Sequence, residues 1–112
     1  MRKEIPADVQ EAAVLILLFP KDKEWHIAFT ERASKYAQDK HKGQMSFPGG
    51  KKEESDINME AAALRETEEE IGVQRADIKT LGKLTKLHIP VSNFVVQPVV
   101  GYTEQELSLI HI

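Results

Sequence analysis

The chain contains no cysteine. That excludes a disulfide framework, a thiol nucleophile and a cysteine-ligated zinc site, and it agrees with a reducing compartment. Aromatic residues are few, four Phe, two Tyr and one Trp. The excess of one sign of charge is also small. Fifteen Lys and Arg stand against eighteen Asp and Glu, a net charge of −3. So small an excess gives no basis for nucleic-acid binding or for attraction to an anionic membrane surface. No stretch approaches the ~18 apolar residues of a membrane span. The N-terminus, MRKEIPADVQEAA, carries early positive charge but turns acidic before its first apolar run, unlike a secretory signal. Repeats and low-complexity tracts are absent. What remains is a 112-residue chain, 29% charged and 41% hydrophobic, which fits one soluble globular domain. The expected compartment is the cytoplasm.

The most informative stretch is 43–73, GQMSFPGGKKEESDINMEAAALRETEEEIGV. It passes from a glycine-rich turn into an acidic helix predicted over 57–71. Ser55, Asp56 and Asn58 compete as N-caps, the Ala61-Ala62-Ala63 run supports the helix by propensity, and Gly72 is a C-terminal stop. At ~100° per residue, Glu66, Glu69 and Glu70 share one face, with Ile57, Ala61, Leu64 and Ile71 on the opposite, apolar side. Like charges spaced i, i+4 destabilise a helix by a few tenths of a kcal/mol per pair, and Arg65 offsets only part of that. A hard divalent cation, which prefers oxygen ligands, would offset more. A Glu-rich run alone is more often a solvated face. Here it stands behind Pro48-Gly49-Gly50, which suit a turn with close approach of backbone to a ligand.

Around this stretch the pattern is β-rich. Residues 13–19, AVLILLF, predict a strand buried on both faces. A polar turn at 20–24 leads to a partner strand at 25–30, in which His26 reads as a satisfied or surface histidine. The connection 31–42 is polar and basic, 44–47 suits a short strand, and 51–54 reads as a solvated loop tip. A strand at 79–86, a loop at 88–93 and a strand at 94–102 follow, with Pro98 suggesting an edge or a bulge. Residues 103–112 hold enough apolar positions for a last strand.

Arg65-Glu66-Thr67-Glu68-Glu69-Glu70-Ile71-Gly72-Val73 resembles the second half of the Nudix box. The first half departs from the general pattern: five residues separate Gly50 from Asp56, which stands where Glu is usual, and eight separate Asp56 from Arg65 where seven are usual. That departure is similar to the coenzyme A diphosphatase branch of the family. So are Thr30-x-Arg32-Ala33, His41-x-Gly43-Gln44-x-Ser46-Phe47-Pro48-Gly49-Gly50, the run 87–92 and the run 96–102. The resemblance spans roughly 12–102. It implies an α/β (α+β) fold, an α/β/α sandwich around a mixed β-sheet. The family pattern continues past this chain's end with a strand, a helix and often another carboxylate, for which only Glu104 and Glu106 remain. One Nudix domain over 1–112, incomplete at its C-terminus, is therefore expected. A sheet face left uncovered would expose apolar surface, so a homo-oligomer, a dimer, is expected as well.

The resemblance also implies chemistry. Glu69 and Glu70 would bind Mg²⁺ or Mn²⁺ directly, and Glu66 would bind metal or act as general base. Arg65 would orient the glutamates, and Gly50 would offer a backbone oxygen near the metal. Arg32, His41, Gln44, Ser46 and Gly49 would contact substrate, Arg32 by gripping a phosphate in bidentate fashion. The implied reaction cuts the diphosphate of coenzyme A or an acyl-CoA to 4′-phosphopantetheine and adenosine 3′,5′-bisphosphate. The residues alone support only a diphosphate joined to some group, so an ADP-sugar or a dinucleoside polyphosphate suits the helix equally. A non-catalytic domain that binds a nucleotide or a partner protein is the reading from another class.

Overall fold

The computed structural model describes residues 8–31 and 45–107. In chain order these form β1 (Gln10–Lys21), β2 (Glu24–Ile27), β3 (Thr30–Glu31), β4 (Met45–Ser46), β5 (Gly49–Lys51), α1 (Met59–Ile71), a 3-10 turn (Arg75–Asp77), β6 (Lys79–Lys83), β7 (Leu87–Ile89) and β8 (Phe94–Tyr102). Six strands make one mixed sheet in which β1 and β8 are central and parallel. β2 and β5 pair antiparallel with opposite ends of β1, and β6 and β7 pair antiparallel with opposite ends of β8. β3 and β4 form a separate two-stranded ladder.

The alternation of β1 decides where the core sits. Ala13, Leu15, Leu17 and Phe19 are buried, whereas Val14, Ile16 and Leu18 are half-buried. Odd positions of β1 therefore face α1, whose Met59, Ala62 and Ala63 complete the core with Val73, Ile78 and Val99. Burying side chains such as Leu15, Leu17 and Phe19 contributes about 1.5–3 kcal/mol each. Ala62 and Ala63, both 0% exposed, let the helix lie close against the sheet.

Several expectations are corrected. The first strand is fully buried on one face only. The predicted strand at 25–30 divides into β2, which pairs with β1 as far as Ile27, and β3 at Thr30–Glu31; Asp22 and Lys23, with φ of 52° and 66°, make the two-residue hairpin that starts β2. Two left-handed residues suit the right-handed twist of the flanking strands. Pro98 lies in a central strand, where the neighbour of β8 changes from β7 to β6; the bulge is on β6, between Thr80 and Gly82. Residues 87–89, expected partly as loop, form β7. Lys51 belongs to β5 rather than to a loop tip. Residues 103–107 contain no strand, and the rest of the predicted last strand lies outside the described residues. Among the described residues α1 is the single α-helix, packed on one face of the sheet, and no helix is long and apolar enough to cross a membrane.

Candidate active site

The helix that carries the carboxylates starts two residues later than predicted. Asn58, extended at φ −162°, is the N-cap, and its Oδ1 accepts from the Ala61 amide at 2.8 Å. Ile57 precedes the helix and is 88% exposed, so it takes no part in the apolar face. At the other end Gly72 adopts φ 76° and its amide donates to the Glu68 carbonyl at 3.0 Å. That left-handed C-cap needs glycine.

Between these caps the buried face of α1 runs through Met59, Ala62, Ala63 and Thr67. Glu66 and Glu70 continue this inward face instead of opposing it. Both meet β5. A Cβ on Gly50 would overlap Glu66 Oε2, and the Gly49 amide donates to Glu70 Oε1 at 3.4 Å. Gly49 is held as tightly from its other side, since a Cβ there would strike the Ala13 carbonyl and Val14.

Arg65 organises the outer side. Its Nε and Nη2 donate to the two Asp56 carboxylate oxygens at 2.9 and 3.0 Å, its Nη1 donates to Glu66 Oε1 at 3.1 Å and Glu69 Oε2 at 3.2 Å, and Nη2 also reaches the Lys51 carbonyl at 3.2 Å. Asp56 Oδ2 accepts in addition from the Glu53 amide at 2.9 Å. The Asp56 side chain is 5% exposed and that of Arg65 14%. Such planar, bidentate, charge-assisted contact is the strong form of ion pair. It holds the Asp56 carboxyl below its ordinary range and raises the Arg65 guanidinium above its own.

The inward glutamates move the opposite way. Burial first, then hydrogen bonding with the Glu69 carboxyl, pushes Glu66 up to about 7 against the pull of Arg65, and the charges of Glu70 and Glu69 add to the rise. Burial also raises Glu70, partly countered by the Gly49 amide and the Thr30 hydroxyl. Desolvated carboxylates crowded by their own kind bind protons more readily, and they attract cations for the same reason.

A cleft of about 640 Å³ opens beside this corner. Glu70, Gly49, Gly50, Lys51, Thr30 and Ser46 line it together with Val96, Phe94 and Ile89, and Ala12 pairs with Lys51 on one side and Val96 on the other. Thr30 Oγ1 donates to the Ser46 carbonyl at 3.3 Å across the β3–β4 ladder.

Of the sequence-predicted residues, the structure thus gathers Glu66, Glu70, Gly49, Gly50 and Ser46. Glu69 stands at the rim, its side chain 58% exposed against 19% for Glu66, sharing Arg65 Nη1 with Glu66 and staying within hydrogen-bonding reach of its carboxyl. Arg32, His41 and Gln44 lie outside the described residues. Sequence reasoning missed Thr30 and Lys51 as lining residues and read Asp56 as an N-cap. The position of Asp56 in the box spacing was the available signal for its pairing with Arg65.

Among the described residues no three His, Asp or Glu side chains are drawn close enough to enclose a metal ion. The donors nevertheless suit a hard divalent cation in kind. Glu66 and Glu70 offer carboxylate oxygens, and the glycine at position 50 leaves room for one of them against the main chain.

Comparison with known proteins agrees with this arrangement. The model of the NUDIX domain matches residues 9–111. An uncharacterized Nudix hydrolase, NudL, of Enterobacter sp. (strain 638) is 36% identical over 110 residues, which cover 96% of this chain and 55% of that protein. The chain spans about half the length of the first curated relatives it matches. Among solved structures, the Ap4A hydrolase of C. elegans superposes with a TM-score of 0.69 at 14% identity, covering 91% of this chain and 75% of the other. The NUDIX domain of Shewanella oneidensis NrtR, complexed with ADP ribose, gives 0.68 at 18%, covering 93% and 66%. At those identities the likeness is one of fold. With the family model matching nearly the whole chain and the acidic helix set against a glycine strand, this chain belongs to the Nudix family.

Proposed function

We propose that this domain hydrolyses the diphosphate linkage of a nucleoside diphosphate derivative, with coenzyme A or an acyl-CoA as the first candidate substrate and ADP-sugars or dinucleoside polyphosphates as the alternatives. The observation that carries the reading is the placement of Glu66 and Glu70 against Gly49 and Gly50 at the end of a cleft. Coenzyme A comes first because the spacing around Asp56, and the runs at 30–33 and 41–50, are similar to that branch of the family.

Glu66 and Glu70 would hold Mg²⁺ or Mn²⁺, joined by Glu69 once its side chain swings from Arg65 and by the main-chain oxygen of Gly50. When bound, such an ion neutralises phosphate oxygens and lowers the pKa of water. Arg65, tied to Asp56 and the Lys51 carbonyl, limits the rotamers open to Glu66 and Glu69 and so orients them. If Glu66 stays off the ion, it is the carboxylate placed to take a proton from water, the alternative to its role as a ligand. Ser46 offers a hydroxyl to phosphate oxygens at the cleft, whereas the Thr30 hydroxyl is engaged with the Ser46 carbonyl. The half-buried face of β1 and the exposed Trp25 and Ile27 support self-association, which light scattering would read.

The test is product release from coenzyme A, ADP-ribose and diadenosine polyphosphates with Mg²⁺ or Mn²⁺, with and without EDTA. Metal-dependent turnover in the wild type and its loss in Glu70→Gln, with the melting profile retained, are expected. Undiminished turnover in Glu70→Gln would remove the site assignment. Silence of the wild type on every substrate would favour a domain that binds nucleotides without cutting them.

A further inference from the structure

One edge of the sheet is unlike the rest of the surface. β6 and β7 each pair with β8 and, among the described residues, with no other strand. With residues 84–86 between them they form one open edge, about 30 Å long at ~3.3 Å per residue. Leu81, Leu84 and Leu87 on this edge are 60%, 52% and 58% exposed, and Val91, in the turn beyond β7, is 99% exposed. Lys79, Lys83 and Lys86 stand among them and are exposed as well. No acidic residue occurs between Asp77 and Glu104. Those two lie with Lys79 around a pocket at one end of the edge. Lys83 and Lys86 enter none of the ion pairs among the described residues. The inward carboxylates of α1 are across the sheet, at β5 on the far side of β1.

We propose that the edge formed by β6 and β7 docks on an anionic lipid bilayer, with Leu81, Leu84, Leu87 and Val91 entering the headgroup layer and the lysines meeting lipid phosphates. The chain's net charge of −3 supplies no such attraction. The fold supplies it, by collecting three lysines on one edge and setting the acidic corner at the other. Exposed apolar side chains gathered among polar ones mark a docking surface for a protein or a membrane. This edge suits a bilayer better than an added strand. A partner strand reads every second residue, whereas these leucines recur at every third. The bulge between Thr80 and Gly82 and the edge lysines are features that keep further strands from pairing. A bilayer interface imposes no register. It takes apolar side chains that reach the acyl boundary and cations whose long stems hold their charge at the phosphates. Ile89 and Ser92, next to this surface, line the cleft, so docking brings the cleft mouth to the lipid. Docking needs neither metal nor substrate and stands apart from the diphosphatase reading.

The experiment is sedimentation of the whole chain with vesicles of phosphatidylcholine alone and of phosphatidylcholine mixed with an equal part of phosphatidylglycerol. At about 0.05 M salt the anionic vesicles should carry down at least about fivefold more protein than the neutral ones, and about 0.5 M salt should remove the excess. Lys83→Glu with Lys86→Glu should lower binding to the anionic vesicles at least about fivefold. Leu84→Ser with Leu87→Ser should lower it by about as much. Lys21→Glu with Lys23→Glu makes the same change of net charge at the β1–β2 hairpin, on the other side of the sheet, and should lower binding less than about twofold, as expected for charges beyond a Debye length from the lipid. Thermal melts check that each variant is folded. Equal sedimentation with neutral and anionic vesicles, or equal losses from the two lysine pairs, overturns the proposal. So does capture by soluble polyglutamate, lost on Lys83→Glu with Lys86→Glu, without capture by anionic vesicles; that result assigns the edge to an acidic protein.

Discussion

Gly50 and Glu66 share one volume: the place where a side chain at residue 50 would begin is filled by Glu66 Oε2. The strand-to-helix fit at this point is set by a missing methyl group. Gly50→Ala must push the Glu66 carboxylate away from β5. The main chain at Gly50 is not in the left-handed region, so alanine is acceptable to the backbone and the fold should persist. Metal-dependent diphosphate hydrolysis should fall by about 10²-fold or more, the scale on which a misplaced base or ligand acts. Rates at saturating Mg²⁺ alongside a melting curve check it; near-normal rates would refute the crowding argument.

Glu66 makes the ion-free protein sensitive to pH. Its carboxyl is raised to about 7 from an ordinary 4.5. Between those values the folded chain holds a proton that the unfolded chain has released. Stability therefore increases as pH falls from about 7 toward 4.5 and decreases as pH rises through 7. With EDTA present, Tm should be a few degrees higher at pH 5 than at pH 8. Glu66→Gln should flatten that slope, and Mg²⁺ should raise Tm at pH 8 more than at pH 5. A wild-type profile that is flat over this range would count against the desolvated carboxylate.

Asp56 acts in the opposite sense. Its folded pKa lies below the ordinary value because Arg65 grips it. The stability it supplies is complete above the unfolded value of about 4 and is lost as pH falls through the lower, folded one. Asp56→Asn should cost about 2 kcal/mol at pH 7, less than a fully stranded buried charge, since Arg65 keeps Glu66 and Glu69. Denaturant melts should show this cost shrinking as pH falls below the ordinary carboxylate range.

Gly72 offers a test free of packing. No atom lies within 4 Å of where its Cβ would stand, yet its φ is 76°. Gly72→Ala should destabilise by about 1 kcal/mol from backbone strain alone, a fall in Tm of roughly 4–8 °C for a domain of this size. Hydrolysis per folded molecule should stay unchanged.

Much of this arrangement is written locally. The helix, its glycine stop, the hydrophobic run of β1 and the glutamates at i, i+3 and i+4 follow from spacing, because helical and strand periodicities depend only on near neighbours. So does the clustering of the acidic helix with Pro48-Gly49-Gly50, which the box pattern joins in sequence. Which way the glutamates face was not local. Of the expected core side, Leu64 and Ile71 do pack against the core, but its buried centre is Met59, Ala62, Ala63 and Thr67, whose small alanines let the helix approach the sheet, and Ile57 lies outside it. That choice turned Glu66 and Glu70 inward, left Glu69 to Arg65, and raised the inward carboxyls by burial. The pairing of Asp56 with Arg65 and the row Lys51–Ala12–Val96 likewise depend on contacts between segments distant in sequence. Near-neighbour spacing is enough to place a metal-suited acidic helix after a glycine turn; which carboxylates meet the glycines follows from packing, because only packing brings α1, β5, β1 and β8 together.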